Sequence, residues 1–194
     1  MVTLTDLLFP ILTSTVLLFI ASFLLWAVSP HHKPEIQSLG ANEDGLIQVL
    51  RQFGVKPGRY MFPYADNPSD PDYKKKLEGG CLGVLTLFKG PPNMGRNMAM
   101  TIFGFAMISL FIGYVASNSR LEPGARYFDV FQLTGAMGFA ICAFGGWSEG
   151  VWFGKSARGF VTNTIDALIY GLLAGGCFAG LWPAAAGAAE AVGG

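Results

Sequence analysis

Cysteine is scarce in this chain, with Cys81, Cys142 and Cys177 as its only thiols. An odd number, with no CxxC, no haem-attachment pattern and no ligand spacing, excludes a disulfide scaffold and a cysteine-based zinc module. The three are expected to be reduced and unpaired, two of them as small packing residues within apolar runs. Charge is scarce too, at 13% of residues with a formal net charge of zero. An average chain has about 25%, and a neutral balance gives no whole-chain field for nucleic acid or an acidic substrate. Catalytic patterns are missing as well. Gly79 and Gly80 beside Cys81, and the turn GPPNMG, lack the GxxxxGK[ST] order of a phosphate-binding loop. No Ser, His and Asp order marks a nucleophile, and no His pair lies inside an apolar run to hold haem or two metals, which argues against a redox carrier. The expectation is a chain that is not an enzyme and needs no cofactor.

What is present is apolar residue, at 52% of the 194, gathered into runs of about twenty. That is the length a helix needs to cross about 30 Å of hydrocarbon. The fold class expected is a membrane protein, mainly α, with four transmembrane helices and a small α+β cytoplasmic insert between helices 1 and 2. The division is 1–28 as the first span, 29–95 as the insert, 96–183 as a three-helix segment and 184–194 as a flexible tail rich in small residues. The first run, Leu7 to Val28, reaches roughly 33 Å as helix. With no Lys or Arg before it and more length than a signal core, it reads as an uncleaved anchor. The second span reads from Asn97 to Ser117, the third from about Asp129 to Gly150 and the fourth from about Val161 to Trp182.

The insert has its own pattern. NEDGLIQVLRQF, from Asn42 to Phe53, starts with a possible Asn cap and acids in the first turn. It carries Leu46, Ile47, Val49, Leu50 and Phe53 at helical spacing and is ended by Gly54. Arg59 to Tyr64 is rich in strand formers, with Pro63 confining it to an edge or a strand end. A turn and a short polar helix follow, and Leu82 to Phe88 is the best strand in the chain. The two strands are expected to pair, with the spans supporting a hairpin that is marginal alone.

Of thirteen Lys and Arg residues, only Arg120 and Arg126 fall on the side of the termini; the other eleven, Arg96 at the start of the second span included, lie on the side of the insert and the 151–160 turn. By the positive-inside rule the insert is cytoplasmic and both termini are periplasmic. Trp26, Trp147, Trp152 and Trp182 stand near span ends, as interfacial anchors do.

Candidate site residues follow from cost. An ionisable group in a span costs several kcal/mol unless paired or hydrated, so Glu149, Asp166, Lys155 and Arg158 form a candidate ion or pairing site. The carboxylates serve either as a proton, cation or substrate site or as packing charges paired to Lys155, Arg158 or Arg96. Gly146 and Gly150, Ala167, Gly171 and Gly175, and Gly176 and Gly180 recur every four residues, the spacing of close helix contact. Lys74, Lys75 and Lys76 read as a solvated face that attracts anionic headgroups. His31, His32, Glu35 and Cys81 do not read as a metal site, because adjacent histidines rarely converge on one ion; Pro30 and Pro34 stiffen a solvated turn instead.

The stretches SPHHKPE, GRYMFPY, GPPNMG, SEGVWFG and IDALIYGLLAG resemble a set of uncharacterised bacterial inner-membrane proteins with the same four-span plan. The resemblance implies a multi-pass protein of that membrane, and it transfers no activity, catalytic residue or cofactor. The function expected is a non-enzymatic accessory, assembly or scaffold subunit that packs through glycine faces against lipid and against other membrane subunits or its own copies, with no nucleic acid. The alternative is a small homo-oligomeric ion, proton or solute transporter using Glu149 and Asp166.

Overall fold

The computed structural model describes residues 1–185 and is mostly helical, with a single two-stranded sheet among those residues. The helices are α1 (Leu8–Phe23), α2 (Glu43–Gln52), α3 (Pro71–Glu78), α4 (Met94–Ser117), α5 (Tyr127–Phe144), α6 (Trp147–Trp152) and α7 (Ala157–Gly180), and the strands are β1 (Gly58–Phe62) and β2 (Gly83–Leu87). Four helical stretches, Thr5–Val28, Met94–Ser117, Tyr127–Trp152 and Ala157–Gly180, are long and apolar enough to cross a membrane. From residue 186 onward the expected tail lies outside the described residues.

The four long helices pack as a bundle in which α1 meets α4 and α7, and α5 meets α4 and α7. Its core has two parts. Leu7, Ile11, Ile112, Val130, Ala174 and Phe178 fill one end, while Leu18, Phe105 and Tyr170 fill the other. Polar groups inside are paired: Thr15 donates to the Ile11 carbonyl and Thr134 to that of Val130 within their own helices, and Ser109 donates to Ser14 from α4 to α1. Pairing of this kind removes the several kcal/mol that an orphaned polar group costs in an apolar medium.

The tightest approach is between α5 and α7. A Cβ at Gly171 would stand 2.8 Å from the Gly135 carbonyl oxygen, and one at Gly175 would stand 3.0 Å from the Gly135 Cα. Gly138 faces the Ala174 methyl and the Gly171 Cα across the same seam. The interval of four on α7 is therefore matched by Gly135 and Gly138 on α5, and not by Gly146 and Gly150. Gly146 is a correction to the expected packing set: a side chain there would meet nothing within 4 Å. The cause is a break in the third long helix at Gly145–Gly146, after which the six-residue α6 begins. Gly150 packs against the Phe160 ring and not against a helix backbone, Gly176 has only the Tyr127 hydroxyl nearby, and Gly180 is open. Ala167 is buried.

In the 29–93 segment the elements run α2, β1, α3, β2. The strands pair antiparallel, with Gly58 opposite Leu87 and Phe62 opposite Gly83. The Phe62 ring lies across the bare backbone of Gly83, where a Cβ would stand 2.9 Å from it. Asn42 does not cap α2; it sits in helical conformation with no side-chain bond to the first turn, which Glu43 and Asp44 occupy. Gly54, at φ +62, ends the helix as expected. Its N–H reaches the Arg51 carbonyl and that of Val55 the Leu50 carbonyl, the paired closure that a left-handed glycine permits.

Candidate functional site

The end of the first long helix builds the site. Leu24–Val28 widens into a π-type turn, closed by the Ser29 N–H on the Leu24 carbonyl at 2.9 Å. Pro30 then forces Ser29 into extended backbone, at φ −72 and ψ 138, and opens a short 3₁₀ helix over Pro30–Glu35. This reversal turns His31, His32 and Glu35 back over the first turns of α7. That helix starts at Ser156, whose side chain accepts from the Gly159 N–H. Thr162, Asp166, Tyr170, Ala174 and Phe178 follow at intervals of four and are all buried, so one stripe of α7 faces inward and Asp166 lies on it.

Asp166 is 4% exposed and receives two imidazoles. His31 Nε2 stands 2.9 Å from Oδ1 and His32 Nε2 2.8 Å from Oδ2. Each ring also has an outer partner: His31 Nδ1 is 2.6 Å from the Ser29 hydroxyl, and His32 Nδ1 is 2.8 Å from Glu35 Oε1. Thr162 donates its hydroxyl to the same Glu35 oxygen. Trp26 stacks on His32 at 3.8 Å with planes 9° apart, which fixes the ring face-on. Partial burial pushes the Glu35 carboxyl up, but the hydrogen bonds from Thr162 and His32, with the electrostatic pull of His32 and Lys155, outweigh it and hold it below the usual carboxylate range. A neutral imidazole has one N–H, so the two carboxylates on His32 are both served only when a second proton or another cation takes the remaining contact.

The other expected residues lie elsewhere. Glu149, on α6, accepts from Arg59 of β1 at 2.8 Å in an exposed pair, and the Arg59 guanidinium rests 4.2 Å over the Phe153 ring. Glu149 and Asp166 therefore do not share a site. Neither pairs with Lys155, Arg158 or Arg96: Lys155 lies 5.5 Å over the Phe160 ring, Arg158 donates to the His31 carbonyl at 3.2 Å, and the Arg96 backbone N–H serves the Asn93 cap of α4. Lys74, Lys75 and Lys76 are exposed on α3. Cys81 is exposed and apart from the histidines, whereas His32 is buried and not solvated as expected. The adjacent histidines converge because the 3₁₀ turn brings both rings to one side, with centroids 4.1 Å apart. The available sequence signal was the pair of prolines bracketing two histidines directly after a span. Comparison of the chain with protein-family models, with curated proteins and with solved structures finds no match.

Proposed function

We propose that this chain is an integral protein of an inner membrane, crossing it four times with its 29–93 segment on the cytoplasmic face and both termini outside. We further propose that it works there as a non-catalytic assembly or scaffold subunit. The crossing is supported by the exposed apolar side chains on the outward faces of the long helices, such as Phe9, Leu12, Phe103, Phe111, Ile165 and Leu172. The orientation rests on the eleven basic residues that share the side of the segment.

The observation that carries the assembly role is α2. This ten-residue helix has one apolar face, Leu46, Ile47, Val49 and Leu50, continued by Phe53; Leu50 is half-buried and the others are exposed. A helix so short is marginal on its own, since isolated helices need about 12–15 residues, so its face calls for a partner. Its charges, Glu43 and Asp44 against Arg51, disfavour an anionic lipid surface and favour a protein. The lysines of α3 suit the lipid. Transport through a joint carboxylate site has less support, because Glu149 and Asp166 meet separate partners.

The test is the mass of the gently solubilised native complex with every co-purifying chain identified. Other chains in fixed ratio, released by Leu46→Glu with Val49→Glu, are the expected result. A monomer, or a closed homo-oligomer that survives both changes, would overturn the α2 reading. Orientation is checked on Cys81, which is exposed: a membrane-impermeant thiol reagent should label it in inverted vesicles and leave it untouched in intact cells.

A further inference from the structure

We propose that His31, His32 and Asp166 bind one divalent first-row transition cation of the zinc type, which clamps the end of the first long helix to α7. Among the described residues these three each offer a donor atom, and the donors lie within 4.8 Å of one another. Two imidazoles and a carboxylate are a donor set that suits zinc and its neighbours, with a fourth position left to water.

Orientation separates this cluster from an ordinary ion pair. Both rings turn Nε2 inward to the two oxygens of one carboxylate, and both turn Nδ1 outward to a partner of their own, Ser29 Oγ and Glu35 Oε1. That is the arrangement of a ligating histidine, whose second nitrogen donates to a carboxylate or another oxygen and so presents a lone pair to the metal. With a cation on the inner nitrogens, His31 Nδ1–H donates to Ser29 and His32 Nδ1–H to Glu35, and every contact around His32 has a proton or a metal in it. Thr162 then holds Glu35 in place.

Charge and space agree with the assignment. Asp166 and Glu35 bring two carboxylates to one junction; Arg158 spends its Nη2 on the His31 carbonyl instead of on either of them, and Lys155 reaches Glu35 only through space, with no direct ion pair to it. A divalent ion balances both. Metal–ligand bonds of about 2.0–2.1 Å in a tetrahedral site separate donors by about 3.4 Å. The present 2.8 and 2.9 Å separations therefore open by about half an ångström, a change that side-chain torsion supplies. Trp26 keeps the His32 ring from turning away, and the His31 side chain, 24% exposed, leaves an edge for entry.

The experiment uses the full chain in detergent, stripped with a chelator, shown to be helical by circular dichroism, and titrated with Zn²⁺ and separately with Co²⁺. One ion per chain is expected, and cobalt should show the visible bands of a four- or five-coordinate nitrogen and oxygen site. Glu35→Gln should weaken Zn²⁺ binding by about 10–100-fold, as loss of an outer partner does. Asp166→Asn, or His31→Ala with His32→Ala, should weaken it further than Glu35→Gln does. A helical wild-type chain that takes up neither ion in stoichiometric amount would overturn the proposal, whatever the variants do. So would a thiolate-to-cobalt charge-transfer band, which places the ion on a cysteine, or a double histidine variant that binds as tightly as wild type. The mass of the native complex does not enter this test, so the metal site and the assembly role fail separately.

Discussion

Two carboxylates within the long apolar helical stretches, Glu149 and Asp166, have opposite surroundings. Glu149 lies beyond the Gly145–Gly146 break, on the short helix α6, and its pair with Arg59 is open to water, with side chains 63% and 47% exposed. Asp166 is ten residues into an unbroken helix, on a buried stripe of it, and its partners are two aromatic bases folded over it by a proline turn. The same functional group is thus a surface charge in one place and a buried keystone in the other. What differs is the continuity of the helix that carries it, and the energies should differ accordingly.

The largest effect should come from Asp166→Ala. It removes the acceptor that both inner imidazole nitrogens share, and each hydrogen bond lost to a charged acceptor costs about 1.5–3 kcal/mol. Denaturation in mixed detergent, followed by circular dichroism, should show it as a large downward shift of the midpoint. A shift no larger than that of Glu149→Gln would mean that burial of Asp166 contributes nothing. Next in size is Gly171→Ala. The added methyl meets the Gly135 carbonyl and the Phe139 backbone nitrogen at 2.8 and 2.9 Å, so α5 and α7 must separate, at about 1–3 kcal/mol. Gly180→Ala, where nothing lies within 4 Å, is the matched control and should be neutral. Since alanine is the better helix former, a cost at Gly180 equal to that at Gly171 would show that lipid or partner contact, and not the α5–α7 seam, governs both.

Much of this plan was legible in the sequence. The long helices, the hairpin and the order of small elements follow from periodicity and from turn residues, which act locally. Of the α7 glycines, Gly171 and Gly175 were legible as a contact face for the same reason, though their partners were not, while Gly176 and Gly180 form no such face. Gly135 and Gly138 are three apart and carry no interval of four, and only the fold aligns them with Gly171. The break at Gly145–Gly146 was hidden inside an apolar run that continues through Trp147, so the third span read as continuous and Gly146 as packed. The site was the least legible part. His31 and Asp166 are 135 residues apart, and spacing arguments about metal ligands look for partners on one local element. The composition of that turn, with Pro30 and Pro34 around two histidines, resembled a solvated linker until the 3₁₀ geometry placed both rings on α7.

The smallest effect separates the two carboxylates most directly. Exposed pairs are worth about 0.2–1 kcal/mol, so Glu149→Gln should move the denaturation midpoint barely, and less at high salt, because an open pair is screened. Arg59→Ala should cost slightly more, since it also removes the guanidinium from the Phe153 ring, a contact of about 0.5–1 kcal/mol at an exposed site. In a double-mutant cycle the Arg59–Glu149 coupling should then stay within that lower range, and Zn²⁺ uptake at the histidines should be unchanged by either variant. A coupling above about 2 kcal/mol would place this pair in a desolvated setting, which in a membrane means an interface with another chain covering α6 and β1. The contrast with Asp166 would then be one of assembly and not of helix continuity.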